Sequence, residues 1–278
     1  MNFDASGKVS LDDIYTQPDP RAYFSTLREL DYRIPQLAKP YFVKLFQEYR
    51  EAQRIHTPNI LDVGCSYGIN AALLKYGASM DELYERYCGP DARTQNHDSL
   101  LAHDLALVHS RDHVKNLRFV GLDVSQPALS YALSAEFIDD AVHADLEERD
   151  PTRRERQQLA DTHIVISTGC LGYVTDRTIS RVVRAAGERR PWMAHFVLRM
   201  FPFEPVAESL SEFGYDTIRR EGVFKQRRFA SPEERSFVLD TLSTVGVDPR
   251  GLEADGWLYA QLYTSRPHGR NGTAVMIS

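Results

Sequence analysis

At 278 residues, 42% of them hydrophobic and 26% charged, the chain is long enough to bury a sizeable core and has an ordinary globular balance, which excludes a disordered or fibrous polymer. Its formal net charge of −6 argues against DNA or tRNA as the main partner and leaves a small molecule as the easier ligand. Cys65, Cys88 and Cys170 have no close pairing or CxxC spacing, which fits a reducing compartment and gives neither a disulfide framework nor a zinc site.

The first thirty residues carry no apolar signal core, and no apolar run approaches the ~20 residues of a membrane span, so a cytoplasmic protein without a membrane partner is expected. Residues 1–20 mix Gly, Asp and Pro and predict a loose arm ordered only where its aromatic residues dock. Tyr23, Phe24, Leu27, Leu30 and Ile34 recur at helical spacing and stop near Pro35. A second helix, with Pro40 in its first turn, carries Tyr41, Phe42, Leu45, Phe46 and Tyr49 as an apolar stripe.

NILDVG at 59–64 reads as a buried parallel strand breaking into a tight turn, and INAALLKYG opens a helix. Residues 77–116 are polar, helix-favouring and rich in histidine, the pattern of a helical insertion. LRFVGLDVS is the next strand, QPALSYALSAEFID a helix, and DAVHADLEE a third short strand with its loop. After the charged run DPTRRERQQLAD, THIVISTGCLGYV gives a fourth strand, RTISRVVRAAGERR a helix and PWMAHFVLRM a fifth strand.

Within 201–230, FPFEPVAESL reads as a short helix and YDTIRREGVFKQRRF as a hairpin turning at Glu221-Gly222. Ser231-Pro-Glu-Glu234 is a capping box that starts a helix through Leu242, and WLYAQLYTSR and TAVMIS predict two closing strands. This alternation implies an α/β protein: a Rossmann-like, doubly wound, mostly parallel seven-stranded sheet. The expected organisation is an arm and helical cap over 1–56 and a ligand-binding domain over 57–278, with insertions at about 77–116 and 201–230. The ligand crevice of such a sheet lies outside the carboxyl ends of the strands, where the winding reverses.

Asp62, Gly64, Cys65, Ser66 and Gly68 fall between a strand and a helix, where small residues let the backbone bend sharply and a ligand approach it. Asp123 ends the second strand, followed by Val124, at the place where an acidic residue accepts both hydroxyls of a ribose. It also suits the N-cap of the helix near Pro127, a role Ser125 fills equally well.

Through these strand ends the chain resembles the class I S-adenosylmethionine-dependent methyltransferases of small-molecule type with an N-terminal helical cap. ILDVGCSYG is similar to their first motif, E/D-x-G-x-G-x-G, with Ser66 standing at the middle glycine. GLDVS is similar to the second, whose acidic residue holds the ribose. HADLEE resembles the third, which implies Asp145 near the adenine amino group and Leu146 near the ring. STGCLGYV resembles the fourth, which lines the methyl-transfer crevice and brings in Thr168, Gly169 and Cys170. The resemblance implies S-adenosylmethionine as the bound cofactor. From Gly64 to Asp123 is 59 residues, against about 20 in the ordinary nucleotide fold, which fits an insertion at 77–116.

A nicotinamide fingerprint fails at Ser66 and Ile69, GxxxxGK[ST] is absent, and no Ser-His-Asp or HExxH arrangement is visible. Methyl transfer from a sulfonium is an in-line displacement, so orientation and exclusion of water matter more than catalytic side chains. Tyr23, Phe24 and Tyr32 are candidates for a lid, with helix packing as their other role. His143 and Tyr173, beside the third and fourth strand ends, are the candidates for a base. His97, His103, His109 and His113 recur at roughly helical intervals and read as a solvated face, so no metal is expected. The cluster KQRRF at 225–229 either meets a substrate carboxylate or lies on a hairpin.

The expected function is methyl transfer from S-adenosylmethionine to a small-molecule acceptor. One alternative is a cyclase or lyase that consumes S-adenosylmethionine itself, forming a small cyclic amino acid and methylthioadenosine. A second is a non-catalytic S-adenosylmethionine-binding protein. The sequence leaves monomer and homodimer open.

Overall fold

A computed structural model describes residues 8, 12–111 and 116–269. Five apolar runs, each ending in polar or small residues, pair in parallel: β1 (Asn59–Val63), β2 (Arg118–Asp123), β3 (Asp140–His143), β4 (Ile164–Thr168) and β5 (Trp192–Leu198). Three more strands, β6 (Tyr215–Arg219), β7 (Phe224–Arg228) and β8 (Trp257–Pro267), complete an eight-stranded sheet ordered β3-β2-β1-β4-β5-β8-β6, with β7 also on β8. β8 is antiparallel to β5, β6 and β7. The winding reverses between β1 and β4, so their carboxyl ends open a crevice.

Alternation along the strands makes two cores. Ile60, Phe119, Ile164, Ile166 and Phe196 face one, and Leu61, Val63, Val120, Val165 and Val197 the other. Onto the first pack α3 (Ile34–Gln53), α4 (Ile69–Lys75) and α8 (Gln126–Ser134). The second takes α10 (Asp176–Ala186) and α11 (Glu204–Glu212), with α9 (Arg153–Ala160) against α10. α12 (Pro232–Thr244) closes a smaller cluster with Leu198, Met200 and Leu258.

Five more α-helices among the described residues are α1 (Asp12–Tyr15), α2 (Arg21–Glu29), α5 (Met80–Cys88), α6 (Pro90–Thr94) and α7 (His97–Ser110). Phe24 of α2 stacks on Tyr87 of α5 with centroids 4.6 Å apart, and the Tyr84 hydroxyl donates to the Tyr32 carbonyl at 2.7 Å. Asp104, fully buried in α7, accepts from Arg86 and from the hydroxyls of Tyr87 and Tyr131, tying α5, α7 and α8 together.

Three expectations differ from the structure. Pro35 begins α3 instead of ending its predecessor, because a first-turn residue needs no amide, and Pro40 lies inside that same helix. Residues 215–228 form no hairpin: β6 and β7 each pair with β8, and β7 is the eighth strand beyond the seven expected. The charged run at 151–161 contains α9, started by a capping box of Thr152 and Glu155. On the helix that carries the histidines, His103 and His109 are exposed and His97 half-buried, while Asp104 is the acidic residue it buries. The strand expected at TAVMIS, and His113, lie outside the described residues. No described helix is long and apolar enough to cross a membrane.

Candidate active site

At the reversal point lies a cavity of about 390 Å³, lined by the turns after β1, β2 and β4, by β7, and by α1, α2 and the segment leading into α3. Its floor is made of backbone that bends where the sequence permits. Gly64 adopts φ +68°, and a Cβ there would sit 2.6 Å from that of Cys170, so glycine is required by the crossing of the β1 and β4 tips. Ser66 adopts φ +50°, a left-handed conformation that a non-glycine residue takes at a cost of about 1 kcal/mol.

That strain is offset by a specific contact. The Ser66 amide donates to Asp123 Oδ2 at 2.8 Å, and the Ser125 amide donates to Oδ1 at 2.9 Å. Asp123 therefore joins the β1 and β2 turns while lining the cavity. Burial raises its carboxyl above the ordinary range, opposed by the amides of Ser125, Ser66 and Val124. A carboxylate has about four acceptor positions, so two amide bonds leave capacity for ligand hydroxyls. Val124 beside it is 63% exposed on the rim.

Behind the β1 turn, Asp62 is fully buried and desolvation pushes its carboxyl up to about 7. Asn70 of α4 donates to Asp62 Oδ1 at 3.0 Å and to Thr168 Oγ1 at 3.2 Å, linking the β1 strand to the β4 tip. Gly68 packs against α8, where a Cβ would meet Phe137 and Ala132 at 3.1 and 3.2 Å.

The roof is aromatic. Tyr23 contacts Tyr15, Tyr32 and Tyr67 edge-on at 5.7, 6.4 and 5.9 Å. Burial raises the hydroxyls of Tyr23 and Tyr32 well above the usual phenol range, which keeps them neutral. The N-terminal segment is bonded down at two points: the Tyr67 hydroxyl donates to the carbonyls of Ile14 and Gln17 at 3.0 and 2.9 Å, and Ser125 Oγ donates to the Tyr15 carbonyl. Lys8 from the same segment is 7% exposed and places Nζ 4.6 Å above the Tyr173 ring.

Of the residues singled out in the sequence, Gly64, Cys65, Ser66, Asp123, Val124, Thr168, Gly169, Cys170, Tyr173, Tyr23 and Tyr32 converge on this cavity. Six others do not line it, among them the lid candidate Phe24, which is buried against Tyr87. Asp62 and Gly68 support the turn from behind. His143 is exposed, with Nε2 donating to the Val124 carbonyl at 3.0 Å, outside the wall. Asp145 is exposed and accepts the amides of Glu147 and Glu148, while the Leu146 side chain is buried in the second core. The Cys170 thiol, pushed up to about 12 by burial, donates to the Val63 carbonyl at 3.1 Å and stays protonated.

The cavity also takes Asn70, Ser125, Lys8 and Tyr15, which the sequence reading did not assign to it, and Gln226 and Arg227, which it weighed only within the KQRRF cluster. Asn70 had a signal, a lone amide among the apolar residues of INAALLK. For Gln226 and Arg227 the cluster gave no direction, because a register shift between Lys225 and Arg227 turns two consecutive side chains inward. Arg227 is not available to a ligand carboxylate, since it makes a bidentate pair with buried Glu234 at 2.9 and 2.7 Å. Among the described residues a serine–histidine contact runs from Ser167 Oγ to His195 Nδ1 at 2.8 Å, but both residues are fully buried within the sheet.

No family model matches the sequence, and no curated protein matches it either. Solved structures of S-adenosylmethionine-dependent methyltransferases are among those the fold resembles. Magnesium protoporphyrin IX methyltransferase from Synechocystis PCC 6803, with bound S-adenosylmethionine, is 10% identical over 82% of this chain and 79% of its own, at a TM-score of 0.39. The plantazolicin methyltransferase BpumL with S-adenosylhomocysteine is 10% identical over 79% and 80%, at 0.37. The [4+2]-cyclase SpnF is 14% identical over 81% of each chain, at 0.39. At these scores the likeness adds no weight to the strand order, which defines the fold by itself.

Proposed function

We propose that the chain binds S-adenosylmethionine and transfers its methyl group to a small-molecule acceptor. The observation that carries this reading is the meeting of Asp123 and the Ser66 turn in the wall of a cavity roofed by tyrosines at the reversal of strand order. The cavity's donor set fits the cofactor. Asp123 would take the ribose hydroxyls, and Gly64 to Ser66 would let the amino-acid tail lie against backbone. The buried Ser66 Oγ, which has no hydrogen-bond partner among the described residues, faces the same turn. Asp145 and Leu146 would meet the adenine only from beyond the cavity wall, on the β3 side.

When bound, the sulfonium supplies an electrophilic methyl group for in-line displacement. This chain's own residues orient and exclude water: the tyrosine roof covers the crevice, and its neutral rings face a cationic ligand favourably. Tyr173, on the rim, would be the candidate to take a proton from an acceptor hydroxyl or amine. His143 would first have to release Val124. The charge of −6 suits a small acceptor over a nucleic acid.

A second reading follows from cavity size. About 390 Å³ lies near the lower end of ligand pockets, roughly 300 to 1,000 Å³, which leaves little room beyond a nucleoside and its tail. The α-amine of S-adenosylmethionine would then attack its own γ-carbon as the bond from that carbon to sulfur breaks. Methylthioadenosine leaves, and one proton goes to solvent.

Incubating the protein with S-adenosylmethionine, alone and with a panel of small hydroxyl and amine acceptors, separates the readings by chromatography. S-adenosylhomocysteine formed only with an acceptor is the expected product. Methylthioadenosine formed without one replaces the transferase by the cyclase, and tight binding with neither product makes the chain a ligand-binding protein.

A further inference from the structure

We infer that Asp104, which does not itself line the cavity, is the positioning residue for its roof: it fixes Tyr87 and Tyr131, on whose rings α2 and Tyr67 rest. The inference rests on the donor reading above and assigns to α7 the alignment of Tyr23 and Tyr32 on that ligand.

Asp104 is 0% exposed, yet donors from three side chains end on it. Arg86 Nε donates to Oδ1, and the hydroxyls of Tyr87, at 3.0 Å, and Tyr131 both donate to Oδ2. Burial raises this carboxyl, and the Arg86 guanidinium opposes the rise. A buried ion pair of this kind is no more stabilising than packed apolar groups of similar volume. What it adds is direction, because a carboxylate oxygen shared by two hydroxyls sets where both rings stand.

Each ring carries one side of the roof. On Tyr87 stacks Phe24 of α2, with centroids 4.6 Å and planes 18° apart, and Phe24 is next in the chain to Tyr23. Against Tyr131 stands Tyr67, edge-on at 6.0 Å. Tyr67 in turn meets the Tyr23 ring at 5.9 Å and donates to the carbonyls of Ile14 and Gln17. Tyr23 is therefore supported from Asp104 Oδ2 along two routes, through Phe24 and through Tyr67.

The neighbouring helices also grip α2 at both ends. At its start Arg21, paired with Asp19 at 2.7 Å, donates to the carbonyls of Ala92 and Gln95 at 3.1 and 2.9 Å. Beyond its end the Tyr84 hydroxyl of α5 donates to the Tyr32 carbonyl at 2.7 Å. Asp104 joins α7 to α5 through Arg86 and Tyr87, so a shift of its carboxylate moves the support of Tyr32 together with that of Tyr23. Stacked rings tolerate sliding, whereas hydroxyls bonded to one oxygen do not. A ligand in the cavity meets Tyr23, Leu27 and Tyr32, and side chains fixed beforehand lose little freedom when it binds.

Calorimetry with S-adenosylhomocysteine, with thermal unfolding and hydrogen exchange of the unliganded full chain, tests this. Tyr87→Phe combined with Tyr131→Phe keeps both rings and removes both hydroxyls. It should bind the probe roughly tenfold more weakly, and each single variant about threefold, with faster exchange at the amides of residues 21–29. Asp104→Asn loses the ion pair with Arg86 but meets both hydroxyls with an amide in either orientation, so it should lower Tm while keeping affinity within about threefold of wild type. A lower Tm in the double variant with unchanged affinity and exchange would make the network a brace of the fold and overturn the inference. Affinity lost as fully in Asp104→Asn as in the double variant would assign the effect to the ion pair and overturn it too. Wild type that does not bind the probe removes the donor reading alone, because exchange at residues 21–29 still decides: left unaltered by the double variant, it overturns the positioning role.

Discussion

Ser66 and Asp123 sit at the ends of different strands and share a hydrogen bond of 2.8 Å, from the Ser66 amide to Oδ2. One carboxylate thereby holds a strained turn in place and faces the cavity. Asp123→Ala is expected to weaken binding of S-adenosylmethionine by about two orders of magnitude, because two charge-assisted bonds to ligand hydroxyls contribute about 3 kcal/mol together. Asp123→Asn, which keeps one acceptor oxygen, should fall between the two. Calorimetric titration of the three proteins checks the order, and unchanged affinity in the alanine variant would falsify ribose recognition at this residue.

The Tyr67 hydroxyl is bonded to two carbonyls of the N-terminal segment, while its ring is buried against Tyr23 and Tyr131. Tyr67→Phe removes the bonds and keeps the ring. The expected cost is about 1 kcal/mol, seen as roughly fivefold weaker binding of S-adenosylhomocysteine with little change in Tm. Hydrogen exchange should rise at the amides of residues 13–17 and fall again with saturating ligand. Exchange unaltered by the substitution would mean that the segment is held by its apolar contacts alone.

Much of the fold was legible because parallel strands announce themselves as short apolar runs, and ILDV, FVGLD and IVIST each end at a turn residue. The same regularity made Asp123, Gly64 and the Thr168–Gly169 tip readable as one crevice. What escaped depended on long-range contacts. Pro35 reads equally as a stop or a start until α2 is seen to end at Glu29. The pairing of β6 and β7 along one edge of β8 is set by a strand about thirty residues further on, which no turn signal at Glu221-Gly222 encodes. The inward turn of Gln226 arises from a bulge, which breaks the two-residue period that a sequence pattern relies on.

Arg227 and Glu234 are 4% and 0% exposed, and Glu234 also accepts the Ala230 amide at 2.7 Å. Removing one member leaves a buried charge without its partner, so Glu234→Ala should cost about 3 to 5 kcal/mol. For a chain of this size that is a drop in Tm of roughly 10 °C. The double variant Arg227→Met with Glu234→Leu should recover most of the loss, since a packed apolar pair needs no desolvated charge. Thermal unfolding of the three proteins decides; a double variant as unstable as the single one would show that the pair positions β7 in a way that packing cannot replace.

Asp62 gives the fold a pH dependence of unusual sign. Desolvation lifts its carboxyl to about 7, with Asn70 opposing the shift and Asp123 adding to it, whereas in the unfolded chain it ionises near the ordinary value of about 3.9. Between those values the folded state holds the proton that the unfolded state has released. Stability contributed by this residue therefore falls as pH rises from about 4 to about 7 and levels off above, by up to about 4 kcal/mol in total. Asp62→Asn removes that titration while keeping an oxygen for the Asn70 amide. Urea unfolding at pH 5 should find the two proteins close, and at pH 8 the variant should be the more stable by a few kcal/mol. Parallel stability curves for the two across that range would mean that Asp62 is already ionised in the folded chain at pH 5.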